Sequence, residues 1–319
     1  MHRIQKIMVL AVVVMTAVAA RAQQVPIFTN YYDSYAVINP GFYGMSEGVN
    51  AMGIYRNQWT GFKDDFTGEV VSPRTFLASA DMPIKILRGG VGLSFMKDQL
   101  GFEDNIALNL GYSYHMDLGP GTLGIGVALS LDNRKVDFKK ANPLDDDDPV
   151  IPTTEQSDML VDMNFGLFYS VPETFYVAVS TTSLLEKKGK ALQGKSSTSA
   201  SFVGDRTFYL AAGYEYQFLN PKFMLNSSMM VLSDIASTQI NVGARFWYNK
   251  MVCFGVNYRY QESVDLLVGF VIKGIQINYA YDINTMGLKL PGSHEVSLSY
   301  NFKLDLDKQP RIYRSIRYL

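Results

Sequence analysis

The chain has 319 residues, 47% of them hydrophobic and 13% aromatic, enough apolar surface to exclude a disordered polypeptide. Charged residues make up only 18%, and 29 Lys+Arg against 30 Asp+Glu leave a net charge of -1, which excludes a basic nucleic-acid footprint. A single cysteine, Cys253, excludes an internal disulfide and a CxxC metal or redox site, and three histidines leave little for zinc or acid–base chemistry.

The first 22 residues read as a signal peptide. Arg3 and Lys6 supply a positive start, Ile7 to Ala20 an apolar stretch, and Ala20-Arg21-Ala22 a small-x-small cleavage pattern, so the mature chain is expected to begin at Gln23. No cysteine follows the cleavage point, which excludes a lipoprotein signal. Residues 23–48 form an N-terminal segment that could plug a lumen, with a turn signal at Asn39-Pro40-Gly41.

Beyond it no apolar run approaches the length of a membrane helix. Segments of about ten residues alternate instead. Ile106, Leu108, Leu110, Tyr112 and Tyr114 interleave with Asn105, Ala107, Asn109, Gly111, Ser113 and His115. Leu123 to Leu131, Ile240 to Tyr248, Val252 to Tyr260 and Ile275 to Tyr281 repeat the pattern, and the second face is largely polar or small. Aromatic pairs such as Tyr258/Tyr260 and Tyr279/Tyr281 gather towards strand ends. Apolar residues towards lipid, polar residues towards a lumen and aromatic girdles are the pattern of a transmembrane antiparallel β-barrel.

Strands are expected near 49–57, 73–82, 89–97, 104–116, 121–131, 159–171 and 173–181, then 206–218, 222–231, 237–248, 250–260, 263–272, 274–282 and 294–302. That is about 14, an even number, so the fold class is all-β with a barrel over residues 49–302. Tight connections are expected to alternate strictly with longer ones, which include 58–72, 132–158, 182–205 and 283–293; the tight turns would be periplasmic and the long loops external. Arginine at lipid-facing Val127 or Val242 should block insertion, whereas arginine at Gly126 or Asn241 should fall in the lumen and disturb assembly far less. Residues 303–319, with Lys303, Lys308, Arg311, Arg314 and Arg317, form a short C-terminal periplasmic tail whose basic, aromatic-bearing character could dock a partner.

Several of these residues together resemble the PorP/SprF family: Gln23-Gln24, the stretch Tyr31–Gly44 with Asn39-Pro40, and Arg56-Asn57-Gln58-Trp59-x-Gly61-Phe62. Gly90-x-Gly92, an Asp98–Gly101 turn and Gly292-Ser293-His294-Glu295 ahead of the final strand fit the same pattern, so the resemblance covers essentially the whole mature chain. One departure is Gly41, where the family usually has alanine after Asn-Pro. The resemblance implies an outer-membrane barrel of Bacteroidota linked to type IX secretion and, for some members, gliding adhesins. It implies no catalysis and a role in exporting or anchoring a large surface protein. The implied partners are a secreted cargo outside, and the periplasmic machinery or a peptidoglycan-associated lipoprotein inside.

Physically, Arg56 on a strand can point into the lumen and pair with a carboxylate, fixing the N-terminal segment or a loop. Trp59 suits the interface belt. The run Asp145–Asp148 in the longest outer loop offers oxygen ligands of the kind Ca²⁺ takes, but it lacks the order of an EF-hand, so it reads as a solvated acidic loop and no cofactor is expected. Loop 182–205, rich in Ser, Thr, Gly and Lys, reads as a mobile surface loop. Ser113 with His115, and Ser293 beside His294, are the candidate hydrolase pairs; no Gly-x-Ser-x-Gly elbow exists and an enzyme is not expected. The alternative reading is an outer-membrane pore or transporter for small or hydrophobic solutes, with Arg56, Arg245, Arg259 and Asp282 available as constriction charges.

Overall fold

The structure, a computed structural model, describes residues 26–302 apart from 64–67, 69, 141–151, 153, 192–200 and 287–289. The expected signal peptide with its cleavage point, the Asp145–Asp148 run and the 303–319 tail therefore lie outside the described residues.

Strands run in the order β1 (Val49–Asn57), β2 (Arg74–Ile84), β3 (Gly89–Leu100), β4 (Glu103–Leu118), β5 (Gly121–Asp137), β6 (Glu155–Val171) and β7 (Phe175–Thr182). A short pair follows, β8 (Lys188–Ala191) and β9 (Ser201–Val203). Then come β10 (Thr207–Gln217), β11 (Phe223–Ser233), β12 (Thr238–Tyr248), β13 (Val252–Arg259), β14 (Ser263–Ile272), β15 (Ile275–Asn284) and β16 (Ser293–Phe302). Among the described residues, fourteen of these close into one antiparallel barrel, each strand beside its sequence neighbour and β1 sealed against β16; β8 and β9 form a separate two-stranded sheet. Closure leaves no strand edge, so every backbone group in the wall finds a partner within it, as a hydrocarbon environment demands.

The period-2 pattern sorts as the alternation requires. Val127, Leu129, Val242, Phe254 and Val256 are exposed on the outer wall, while Asn109, Ser113, Ala128, Ser130, Asn241 and Arg245 are buried on the inner one. Such an exterior would be an aggregation hazard in water and is the natural contact with lipid acyl chains.

Connections at one end are uniformly short (85–88, 119–120, 172–174, 218–222, 249–251 and 273–274), as expected of the periplasmic end of an outer-membrane barrel. The opposite end carries the long stretches 58–73, 138–154, 183–206 and 285–292, but also tight turns at 101–102, 234–237 and 260–262. Strict alternation of tight and long connections is thus corrected. Part of the outer length is strand instead, because β4, β5 and β6 run to 16, 17 and 17 residues and continue their hairpins outwards. For the same reason Asp98 to Leu100 belong to β3 rather than to a turn, and Ser293 to Glu295 lie inside the final strand rather than before it.

The described part of loop 183–206 also departs from the expected mobile loop. Its backbone N–H groups at Leu185 and Lys187 donate to the Asp162 carboxylate at 2.8 and 3.2 Å, and Lys190 N donates to Asp158 at 2.6 Å. Arg206 binds the Leu184 carbonyl at 2.7 Å and Arg134 the Val203 carbonyl at 2.8 Å. Carboxylates on the wall of β6 thus fold the described part of this loop back onto the barrel.

The lumen is filled by the chain itself. Residues 28–44 run along its inside from the outer end to the periplasmic end and contain a one-turn helix, α1 (Tyr35–Ile38), and a 3-10 turn at Pro40–Phe42. Tyr31 and Tyr35 pack with Phe168, Ala178, Tyr209, Ala211, Met230 and Leu232 from the wall.

Candidate functional site at the outer seam

Two sequence motifs far apart in the chain meet where the barrel closes. Pairing of β1 with β16 sets Arg56 opposite Glu295 and Asn57 opposite His294. Just past the strand, Trp59 N donates to Ser293 Oγ at 3.1 Å and Thr60 N to the Gly292 carbonyl at 3.0 Å. Gln58 N donates to the Pro73 carbonyl at 2.9 Å, while Ser72 Oγ receives Gly61 N at 3.0 Å and donates to the Trp59 carbonyl at 2.9 Å. Trp59 holds φ 49° and Gly61 φ 84°, so the turn is tightly wound, and Phe62 stands edge-on to Trp59 with centroids 6.4 Å apart. Arg56 to Phe62 and Gly292 to Glu295 are therefore one structural unit, a clasp on the seam.

Inside the clasp lies a buried charge cluster. Arg56 Nη2 sits 2.6 Å from Asp282 Oδ2 and Nη1 3.1 Å from Glu295 Oε2, with each of these side chains at most 4% exposed. The N-terminal segment is threaded into this cluster. Thr29 N and Asn30 N donate to the two Glu295 oxygens at 2.8 and 2.7 Å. Thr29 Oγ1 donates to Asp282 at 2.7 Å and receives Arg56 Nη1 at 3.0 Å, and Asn257 Nδ2 donates to the Thr29 carbonyl at 2.9 Å. Arg259 closes the ring, 2.7 Å from Glu262 and 3.7 Å from Asp265. The expectation that Arg56 pairs with a carboxylate and fixes the N-terminal segment is met, and two carboxylates rather than one do the pairing.

A second clamp sits deeper. Asp33 lies 3.4 Å from Arg245 and accepts from Asn278 Nδ2 at 3.0 Å, and the same guanidinium stacks 4.0 Å over the Tyr32 ring. Arg56, Arg245, Arg259 and Asp282, read as possible constriction charges, are thus engaged by the chain's own segment and by each other. Thr29, Asn30 and Asp33, which complete the site, carry no motif; their signal is only that a short polar run precedes a strandless stretch.

Asn39 and Pro40 lie apart from the clasp, towards the periplasmic end. Asn39 Oδ1 caps its own turn by accepting Gly41 N at 2.9 Å, while Nδ2 reaches the Leu167 carbonyl at 3.0 Å. This turn presses on a glycine wall: a Cβ on Gly41 would stand 2.9 Å from the Gly124 and Gly166 carbonyl oxygens, and one on Gly126 would overlap the Pro40 backbone. Alanine, the residue that the resemblance implies after Asn-Pro, has no room at 41 in this chain. Nor is Gly126 a tolerant lumen position, as an unfilled lumen would have made it; arginine there would collide with the segment. Asn241 is likewise buried.

The candidate hydrolase pairs are dispersed by their contacts. Ser113 Oγ donates to the Gly41 carbonyl and His115 Nε2 is bound to the Tyr43 carbonyl, while His294 Nδ1 pairs with Tyr279 Oη on the outer wall at 2.7 Å. Neither serine contacts its histidine, so neither candidate forms a nucleophile–base pair.

Comparison with known proteins adds the following. The family described as "Type IX secretion system membrane protein PorP/SprF" matches residues 20–300. No curated protein matches the sequence. Among solved structures, the chain is similar to a Pseudomonas aeruginosa FadL homologue, at 13% identity and a TM-score of 0.49 over 85% of this chain and 94% of that one. It is also similar to the Ralstonia pickettii toluene transporter TbuX, at 13% identity and a TM-score of 0.46 over 85% and 94% of the two chains. The Acinetobacter baumannii outer membrane protein Omp33 matches at 6% identity and a TM-score of 0.46, over 81% of this chain and all of that one. With each of these TM-scores below 0.5, the fourteen-stranded architecture rests on the strand pairing itself.

Proposed function

The chain belongs to the PorP/SprF family of type IX secretion system membrane proteins, and we propose that it serves that system as a non-catalytic outer-membrane anchor or export accessory for a large secreted surface protein. Family membership across nearly the whole chain carries this reading. The filled lumen supports it over the transporter alternative, because a conducting pore needs an open path where this barrel has residues 28–44 packed against its wall.

The division of labour follows from the two ends. Outside, the clasp with Trp59 and Phe62 and the described part of loop 183–206 present a braced face to cargo, and aromatic residues on such a face make effective anchors. Bracing matters because ordering loose loops on binding costs entropy. Inside, the short-turn end and the basic 303–319 tail face the periplasmic machinery or its peptidoglycan-associated lipoprotein.

Deleting the gene and comparing surface proteomes tests this. One or a few large proteins should leave the cell surface while general secretion and small-solute uptake persist. An unchanged surface proteome with impaired uptake of a nutrient would favour the transporter.

A further inference from the structure

The longest turn at the short-turn end, 218–222, joins β10 to β11 and reads Phe218-Leu219-Asn220-Pro221-Lys222. It is wound by its own groups. Phe218 N donates to the Phe223 carbonyl at 3.2 Å, Phe223 N to the Asn220 carbonyl at 3.0 Å and Lys222 N to Asn220 Oδ1 at 3.1 Å. Gln217 Nε2 donates to the Pro221 and Phe223 carbonyls at 2.9 and 3.0 Å, and Asn249 N of the next turn donates to the Lys222 carbonyl at 2.6 Å. A turn tied in this way keeps one shape, and Leu219 stands on it wholly exposed.

On the outward side of this turn opens a cleft of about 440 Å³, within the range of ~300–1,000 Å³ usual for ligand pockets. Tyr216, Phe218, Leu219, Asn220, Phe223 and Phe246 line it, so a single amide stands among aromatic and aliphatic side chains and no charged residue takes part. Register sets Tyr216 and Phe246 on either side of Leu225 on β11. The rings brace one another: Phe223 stacks on Phe246 with centroids 5.6 Å apart, Phe218 meets Phe246 edge-on at 6.1 Å, and Tyr216 meets Phe218 edge-on at 5.0 Å. Towards the membrane centre the same face carries Ser227 and Ala244 side by side, small residues that leave the hollow open along β11. An interface girdle requires rings, but it does not require a hollow among them.

We propose that this cleft seats one acyl chain of a phospholipid of the periplasmic leaflet. The chain lies among the rings of Tyr216, Phe218, Phe223 and Phe246 and continues over Ser227, while the ester and headgroup stay at the turn beside Asn220. Two features favour a lipid over a peptide segment or a second copy of the chain. The cleft runs without a break into the exposed wall of Leu210, Met229 and Val242, which faces hydrocarbon. Its lining also offers no ammonium, guanidinium or carboxylate with which a protein partner could pair. Because the rings and the turn are already in place, little ordering opposes the binding. A lipid seated here would fix the barrel's depth and rotation at its periplasmic rim.

The test reconstitutes the full chain in dioleoyl phosphatidylcholine vesicles containing a phosphatidylcholine with a photoactivatable diazirine on one acyl chain. After irradiation, labelled peptides are mapped by mass spectrometry. Label should concentrate on residues 216–223 and Phe246, about tenfold above Phe270 and Ile277, which are equally exposed on the outer wall of β14 and β15. Phe246→Ala removes one wall of the cleft and should lower the label on 216–223 about tenfold. Phe270→Ala should leave that label unchanged, and both variants should keep the heat-modifiable gel mobility of a closed barrel. The wild-type map stands by itself should Phe246→Ala fail to fold. Label spread evenly over the outer wall, label on 216–223 that persists in a folded Phe246→Ala barrel, or crosslinking of 216–223 to a second copy of the chain in place of lipid would each overturn the proposal.

Discussion

At its outer end the N-terminal segment meets the barrel through charge, with Thr29 and Asn30 hydrogen-bonded into the Arg56–Glu295–Asp282 cluster. At its periplasmic end it meets shape, with Asn39-Pro40-Gly41 fitted against Gly124, Gly126 and Gly166 and the Tyr35 ring 5.7 Å from that of Phe168. One stretch of chain is thus secured by two kinds of physics with different failure modes. A buried ion cluster roughly balances its own desolvation and becomes expensive when one member is removed. A close-packed turn loses nothing to pH or salt but has no tolerance for an added atom.

The largest effect is expected at the charged end. Arg56→Ala leaves Asp282 and Glu295 buried without their cation and should cost about 3–5 kcal/mol. Thermal unfolding of the folded, heat-modifiable barrel in detergent reads this, and a midpoint close to wild type would mean that the cluster does not hold the segment. Next comes the outer wall, which serves as a reference for both ends. Val242→Arg, on the lipid-facing side, should cost about 2–4 kcal/mol of insertion stability, measured as urea midpoints in lipid vesicles. Wild-type stability there would argue that the exterior does not face hydrocarbon. Smallest is the shape-fitted end, where Gly126→Ala adds one carbon against the Pro40 backbone and should cost about 1–3 kcal/mol. Salt sharpens the contrast between the ends. The deficit of Gly126→Ala should be the same at low and high ionic strength, and a salt-dependent deficit would show that the two ends are not separate.

Much of the barrel was legible because its signal is local. Alternation of Ile240, Val242, Ala244 and Phe246 with Asn241, Gly243 and Arg245 fixes which side chains face out, and the observed burial follows it residue by residue. Strand ends were less legible at β5 and β6, which run on through Asp132 to Asp137 and back from Glu155. Those polar residues read as loop, but here they pair with each other across an extended hairpin. The clasp was half legible. Arg56 on a polar face announced a carboxylate partner, yet only the closure of β1 on β16 brings Glu295 opposite, and Asp282 arrives from β15. The glycine wall was not legible at all, since a glycine on a lumen face looks the same whether it borders water or another backbone. In the described part of loop 183–206 the composition hid the structure for a related reason: Gly and Lys content describes a solvated loop, whereas the backbone N–H groups of Leu185, Lys187 and Lys190 are what Asp158 and Asp162 hold.

The central claim is that the lumen is occupied by the chain's own N-terminal segment and is not a solute path. Single-channel recording of the full chain in planar bilayers tests it most directly, alongside a version lacking residues 28–44. The wild type should insert and stay electrically silent, and the shortened chain should conduct in steady, wide steps. Steady conductance from the wild type equal to that of the shortened chain would contradict the account and return the barrel to the transporters.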